Sequence, residues 1–493
     1  MDKLRILMAA SEAGPYARTG GLGDVMGALP AALGALGHEV KVVMPRYSSI
    51  SNLTYRLTPV LDAVEVADTD GPANVTVERA GKSPRGVEFL FVGYNDYFGR
   101  TGMYVDPKTG KDYEDNDLRF AFFARAVIEV ARGLEWRPDI IHVHDWQAAL
   151  VPAYLKTKFG RDSVIGGCAT ILTIHNLGYQ GLFDGDRFAA LDLPAEMFYA
   201  VTGALEFYGK VNFLKCGIRM ADKITTVSPR YAREIQSSDE FGCGLEGVLA
   251  DRAADLFGII NGVDYSIWSP KTDSLVPHRY GLSNLTGKRM NKVELLNQAG
   301  LPVRERTPLI GMVTRLTAQK GIDLLISAAG DIFSSDYQMI ILGAGDAEYQ
   351  SALKRLESRY PDKLKVFLEF NDTLAHLIQA AADMFLMPSR YEPCGLNQMY
   401  ALRYGTVPVV RAVGGLVDTV VDYDPVSGNG TGFQFDDFTV PALMEALGRA
   451  RALFQRRQAW SKLIKTGMRV DYSWSASAHR YEALYRSLAP GPQ

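Results

Sequence analysis

Met384-Phe385-Leu386-Met387-Pro388-Ser389-Arg390-Tyr391-Glu392-Pro393-Cys394-Gly395-Leu396 decides the reading of this chain. The apolar run at 384–387 fits a parallel strand buried on both faces. Pro393 restricts φ and can open a helix, and Gly395 lets the backbone approach a ligand closely. Helix N-termini carry free N–H groups and partial positive charge, which suit a phosphate. Glu392 at the edge of such an anion site is an odd neighbour unless a cationic species is stabilised there too. A sugar of oxocarbenium character leaving a nucleoside diphosphate meets both demands.

Outward from this stretch, short apolar runs alternate with helical stretches through both halves. Strands are expected at 5–10, 39–44, 88–92, 140–143, 169–174 and 223–227, then at 309–313, 338–342, 365–368, 384–387 and 407–410. Continuous Val/Ile/Leu runs followed by helices imply parallel sheets covered on both faces. Two such series predict an α/β protein of two doubly wound, Rossmann-like domains, 1–262 and 263–470, with a terminal segment 471–493. The boundary falls near Asn261-Gly262-Val263-Asp264, and a linker with an early helix at about 288–299 follows. Ligands of open α/β sheets bind beyond the carboxyl ends of the strands, so two facing domains place the active site in a cleft.

The bulk properties agree. At 493 residues the chain exceeds one ordinary core, and 47% hydrophobic with 22% charged residues is the balance of a soluble globular protein. A net charge of −3 advertises neither nucleic acid nor an anionic membrane. Four dispersed cysteines, Cys168, Cys216, Cys243 and Cys394, form no zinc spacing or disulfide framework and favour a cytoplasmic setting. No run approaches the roughly 20 apolar residues of a membrane span. The N-terminal run ends in Ser11-Glu12 without a cleavage signature and reads as a first strand.

Loops after the expected strands carry the chemistry. Arg18-Thr19-Gly20-Gly21-Leu22-Gly23-Asp24 pairs a cation with a glycine turn able to approach phosphate or sugar, although it lacks a dinucleotide fingerprint. A plain turn is the competing reading. In His142-Val143-His144-Asp145-Trp146 the histidines share a strand face, but no third metal ligand is evident. Tryptophan beside a carboxylate suits carbohydrate, by ring stacking and by hydroxyl hydrogen bonds, against the alternative of an aromatic core plug. His175-Asn176 and Asn261-Gly262 stand at strand ends where ligands bind. Arg315 and Lys320 flank Gln319 at a helix entrance and can neutralise a diphosphate, unless the loop is merely a solvated basic one. Gly414-Gly415 forms a second glycine loop of anion-nest type.

In order, Thr-Gly-Gly-Leu-Gly-Asp-Val (19–25), Tyr-Phe-x-Arg-x-Gly-x-Tyr (97–104), His-x-His-Asp-Trp (142–146), Ile-His-Asn (174–176), Asn-Gly-Val-Asp (261–264), Arg-Leu-x-x-Gln-Lys-Gly (315–321), Glu-Pro-Cys-Gly-Leu (392–396) and Gly-Gly-Leu-x-Asp-Thr (414–419) resemble the bacterial glycogen synthases and starch synthases. These are retaining glucosyltransferases of the GT-B superfamily. The resemblance implies transfer of glucose from ADP-glucose to the nonreducing end of an α-1,4-glucan, with no metal or other cofactor. It implies catalytic roles for Glu392, His175, Arg315, Lys320 and Asp24. Donor-binding roles fall to Arg18, Gly20, Gly21, Asn176, Asn261, Gln319, Phe370, Cys394, Gly395, Gly414 and Gly415. Acceptor-binding roles fall to Tyr104, Asp145 and Trp146. The last helix, roughly 475–488, is implied to cross back onto the first domain.

Three positions qualify the resemblance. Arg18 stands where the family usually has lysine, Phe370 where it has tyrosine near the base, and Asn397 matches the starch-synthase form of the motif. Where the wider superfamily often has a second glutamate, eight residues after Glu392, this chain has Tyr400, as the resembled family does, which argues against sucrose- or trehalose-type relatives. A noncatalytic glucan-binding scaffold and a carboxylate-pair hydrolase are the rival readings. The intact cationic set argues against the first, and the single prominent carboxylate against the second.

Overall fold

The computed structural model describes residues 2–489. The chain forms two compact units. One comprises residues up to Val227, then 232–262, then the segment from Trp474 onward; the other comprises Ser228–Tyr231 and Val263–Ser473.

The first unit is built on β1 (Arg5–Ala9), β2 (Glu39–Pro45), β3 (Thr58–Val66), β4 (Ala73–Arg79), β5 (Val87–Gly93), β6 (Ile140–His144) and β7 (Ala169–Ile174). Short strands β8 (Leu182–Asp184), β9 (Glu206–Phe207) and β10 (Lys210–Asn212) form a separate small sheet before β11 (Lys223–Thr226) and β12 (Leu256–Gly258). The main sheet runs β12-β11-β7-β6-β1-β2-β5-β4-β3. From β12 to β5 it is parallel, with β1 between β2 and β6 (Met8 opposite Val42 and His142). The strands β4 and β3 extend the β5 edge as an antiparallel hairpin. Neither was expected from the sequence. The half-exposed alternation of Asn74-Val75-Thr76-Val77-Glu78 is that of a one-sided antiparallel strand, not of a run buried on both faces.

The second unit holds β13 (Leu309–Val313), β14 (Gln338–Leu342), β15 (Leu364–Phe367), β16 (Met384–Met387), β17 (Val407–Arg411) and β18 (Phe433–Phe435). All pairings are parallel and the order is β15-β14-β13-β16-β17-β18, which is the doubly wound arrangement. Ile310, Met339, Ile341, Met384, Leu386, Val409 and Phe433 fill the core around it and are fully buried. The expected strands recur within a residue or two of their bounds, and the early helix spans Thr286–Gln298.

Each of the two large sheets has a topological switch. In the first unit the chain adds β2 and β5 on one side of β1, then returns to add β6 on the other. In the second it adds β14 and β15 beside β13, then returns to add β16. Loops leaving the two central strands diverge there, and the gap between them is the natural ligand crevice.

The terminal helix, Trp474–Leu488, packs in the first unit against the helix Gly21–Ala35. Ser477 Oγ donates to the Ile260 carbonyl at 2.6 Å, and Tyr485 Oη lies 2.8 Å from His142 Nδ1. Gly262 has no room for a side chain, because a Cβ there would stand 2.5 Å from Trp474 Cα. The expected return of this helix to the first domain is borne out by these contacts. Among the described residues no helix is long and apolar enough to cross a membrane, and all four cysteines are free.

Candidate active site

In the second unit the site grows from the switch between β13 and β16. After β13 the chain runs through Thr314–Thr317 into a 3-10 turn, Ala318–Lys320, and Gly321 turns it into the helix Ile322–Ser334. Gly321 has φ +71°, and a Cβ there would stand 2.0 Å from the Pro388 carbonyl oxygen. This close approach brings the loop after β13 onto the loop after β16. Arg390 N donates to Gln319 O at 2.9 Å, and the Gln319 side-chain amide reaches Tyr391 O at 3.5 Å.

The contact puts Lys320 on Glu392. Lys320 Nζ lies 2.8 Å from Glu392 Oε1 and 2.7 Å from Oε2, and Ser389 Oγ donates to Oε2 at 3.0 Å. The carboxylate side chain is 6% exposed and its lysine partner 17%. Charge-assisted hydrogen bonds in so desolvated a place orient both groups strongly. Arg315, two residues past β13, presents an exposed side chain at the same strand end.

Glycines of the third loop close onto the second. Gly415 N donates to the Glu392 carbonyl at 3.0 Å, so this N–H supports the glutamate loop. A Cβ on Gly414 would stand 1.9 Å from that carbonyl oxygen, and one on Gly415 2.2 Å from the Cys394 carbonyl oxygen. Cys394 is buried, Gly395 takes φ +71°, and Gln398 Nε2 donates to both of their carbonyls at 2.9 Å. The helix that follows begins at Asn397, later than Pro393 would have started it. Residues 390–396 are instead a bent loop held by side-chain bonds, with Asn397 Nδ2 donating to Val313 O at 3.1 Å. Phe370 lies apart from these groups in sequence position, just beyond β15, with its ring 85% exposed.

In the first unit the corresponding loops follow β1, β6 and β7. Gly20 caps the helix Gly21–Ala35 in extended conformation, and Asp24 sits in its first turn, 3.1 Å from Arg18 Nη1. Glu12, which in the sequence only follows the first strand, anchors this loop. It accepts Thr19 N at 2.6 Å, Thr19 Oγ1 at 2.7 Å and Tyr104 Oη at 2.8 Å. The Tyr104 hydroxyl also lies 2.7 Å from Ser11 Oγ. A buried carboxylate is stabilised by such donors.

Asp145 opens the turn after β6 with φ +54°, a conformation uncommon for a residue with a side chain. Its Oδ1 accepts His175 N at 2.7 Å, which joins the ends of β6 and β7. Trp146 rests its ring against Gly181 and edge-on to Phe120, with centroids 4.9 Å apart. Asn176 Oδ1 accepts Gly178 N at 3.0 Å in a local turn. Asn261 is buried, and its Oδ1 has no hydrogen-bond partner among the described residues.

The histidines expected on one strand face have organic partners. His142 Nε2 lies 2.6 Å from Thr173 Oγ1, and His144 Nδ1 lies 3.0 Å from His175 Nε2. Burial pushes His142 and His175 down to about 3, and His144 well below the usual imidazole range. Among the described residues no cluster of three or more His, Cys, Asp or Glu could hold a metal ion.

Burial pushes the Asp145 carboxyl up to about 7, against the pull of the two backbone N–H groups at 175 and 176. Folded protein therefore keeps this proton to higher pH than the unfolded chain, where the value is 3.8. The group's stabilising contribution is full below 3.8 and is lost as pH rises through about 7. Asp145→Asn, which still offers an acceptor to His175 N, should flatten the decline of stability across that window. Urea midpoints measured at several pH values check this; an unchanged slope would assign the dependence to other groups.

The family model for the starch synthase catalytic domain matches residues 5–251, and that for glycosyl transferases group 1 matches residues 296–465. The chain is 48% identical over 489 residues to the glycogen synthase of Anaeromyxobacter dehalogenans, covering 99% of this chain and 100% of the relative. Against glycogen synthase 2 of Geobacter sulfurreducens identity is 44% over 486 residues, covering 99% of each. The solved catalytic domain of starch synthase IV from Arabidopsis thaliana, bound to ADP and acarbose, superposes with a TM-score of 0.90 at 31% identity, covering 99% of this chain and 100% of that one. A sucrose-phosphate synthase from Thermosynechococcus elongatus shares the fold alone, at TM-score 0.62 and 18% identity over 99% of each chain. Matched in both halves and along nearly its full length, the protein belongs to the glycogen and starch synthase family of glycosyltransferases.

Proposed function

We propose that the protein transfers glucose from ADP-glucose to the nonreducing end of an α-1,4-glucan, with retention of configuration and without a metal ion. The observation that carries this reading is the Lys320–Glu392 pair at the switch of the second sheet, with Arg315 at the same strand end. As the glycosidic C–O bond to the diphosphate breaks, negative charge develops on ADP and positive charge on the sugar. Lys320 and Arg315 stabilise the first, and the Glu392 carboxylate stabilises the second. The acceptor 4-hydroxyl attacks from the face that ADP leaves and gives its proton to the departing phosphate, so no separate base is required. Asp24, His175 and the Gly20-Gly21 loop shape the donor side of the first unit, while Tyr104, Asp145 and Trp146 line the acceptor side. Two fixed cations replace the charge a metal would supply. A relative solved with ADP and acarbose supports the choice of nucleotide and of glucan. Free cysteines and the absence of a spanning helix among the described residues are compatible with a cytoplasmic setting.

The test is radiolabelled ADP-glucose or UDP-glucose with a maltooligosaccharide, in the presence and absence of a chelator. We expect chains lengthened one glucose at a time, a higher kcat/KM with ADP-glucose, and no loss on chelation. Glucan binding without transfer from either donor would overturn the enzymatic reading. A preference for UDP-glucose would overturn the donor assignment alone.

A further inference from the structure

Among the buried groups of the first unit, His144 has no role in the transfer described above, yet its ring is hydrogen-bonded directly to that of His175. We propose that His144 is a positioning residue: it donates Nδ1–H to His175 Nε2 and thereby holds His175 in the tautomer that presents Nδ1–H to the donor sugar. The inference rests on the proposed function only in taking His175 to face the transferred glucose.

The tautomer follows from counting protons. Both rings are buried and neutral, so each carries one N–H. Across the 3.0 Å contact between His144 Nδ1 and His175 Nε2, one ring donates and the other accepts. His144 Nε2 is sealed from solvent and has no hydrogen-bond partner among the described residues. If His175 were the donor, His144 would carry its single proton on that sealed Nε2, leaving an orphaned N–H. If His144 donates, only a lone pair is orphaned there. Buried N–H groups without acceptors are the rarer and more costly of the two cases. The second arrangement therefore holds, and the remaining proton of His175 sits on Nδ1.

The surroundings keep His144 from turning away. His142 lies against its ring with centroids 4.2 Å apart, and His142 is itself held by Thr173 Oγ1 and Tyr485 Oη. Nδ1 of His175 makes no hydrogen bond among the described residues and is not one of the sealed atoms. It is the ring nitrogen left for a ligand. As an N–H donor it reads the oxygen lone pair of a sugar hydroxyl and cannot act as a general base.

The test uses the intact protein labelled with ¹⁵N-histidine, with the seven histidines assigned by single substitutions. Ring nitrogen spectra of the ligand-free wild type should show His175 protonated at Nδ1 and bare at Nε2. Protonation at Nε2 would overturn the proposal without recourse to any variant. His144→Phe should shift His175 toward the other tautomer and lower kcat/KM for ADP-glucose on the order of tenfold. His144→Asn, whose amide N–H replaces Nδ1–H, should recover most of that loss and restore the tautomer. A His144→Phe protein that is folded by its melting curve and retains wild-type kcat/KM would also overturn the proposal. If the wild type transfers no glucose at all, the proposed function falls while the spectra still decide the tautomer.

Discussion

Replacing Glu392 with alanine should leave a folded protein whose glucosyl transfer is slowed on the order of 10²–10³-fold. The carboxylate sits within 2.8 Å of Lys320 Nζ through both oxygens and takes Ser389 Oγ as well, so its position is set before substrate arrives. Removing it takes away the negative partner of the sugar and leaves the lysine without its counter-ion. Lys320→Ala should be comparably damaging, and so should Arg315→Ala, because each removes charge that stabilises the departing diphosphate. The Glu392/Lys320 double variant should lose less than the product of the single losses, since the pair acts as a unit. Turnover with ADP-glucose and a maltooligosaccharide, alongside melting curves, measures all of these. Wild-type-like turnover in a Glu392→Ala or Arg315→Ala protein would remove that residue from the catalytic set.

Gly414→Val should be as costly by a different route. Gly414 has φ +46°, and its added Cβ would meet the Glu392 carbonyl oxygen at 1.9 Å. Left-handed backbone strain and the forced separation of the two loops add to about 3 kcal/mol or more. The separation breaks the Gly415 N–H bond to Glu392 O, so transfer should fall together with stability. Gly330→Ala in the helix Ile322–Ser334 is the control: nothing stands within 4 Å of the added Cβ, and about 0.5–1 kcal/mol of stabilisation is expected with activity kept. Urea denaturation and kcat for the two proteins separate the cases. A Gly414→Val protein with native stability and kcat would show that the loops do not need this contact.

Much of the fold was legible because parallel strands buried on both faces read as unbroken apolar runs. Leu309–Val313, Gln338–Leu342 and Met384–Met387 appeared where their runs stand. The hairpin Thr58–Val66 with Ala73–Arg79 was not read, because one-sided strands alternate and carry charges on their open face. Phe433–Phe435 is too short to leave a period. Glu12 escaped notice because a lone carboxylate after a strand carries no spacing signal, and only folding brings Thr19 and Tyr104 to it. The pairing of His144 leaves no mark in the sequence for the same reason: its partner, His175, stands just past the end of the next strand.

By itself, the order of apolar runs determined a two-part α/β fold, since strand burial and turn chemistry are local properties of the chain, and the ordered motifs between 19 and 419 carried the resemblance to the glycogen and starch synthases. Which loops meet was decided only by the tertiary structure. Residues 320 and 392 are distant in sequence, and what joins them is the return of the chain to the far side of β13, where two neighbouring strands end together and send their loops across one crevice. That adjacency is a matter of strand order, and strand order depends on packing between segments that no local pattern encodes.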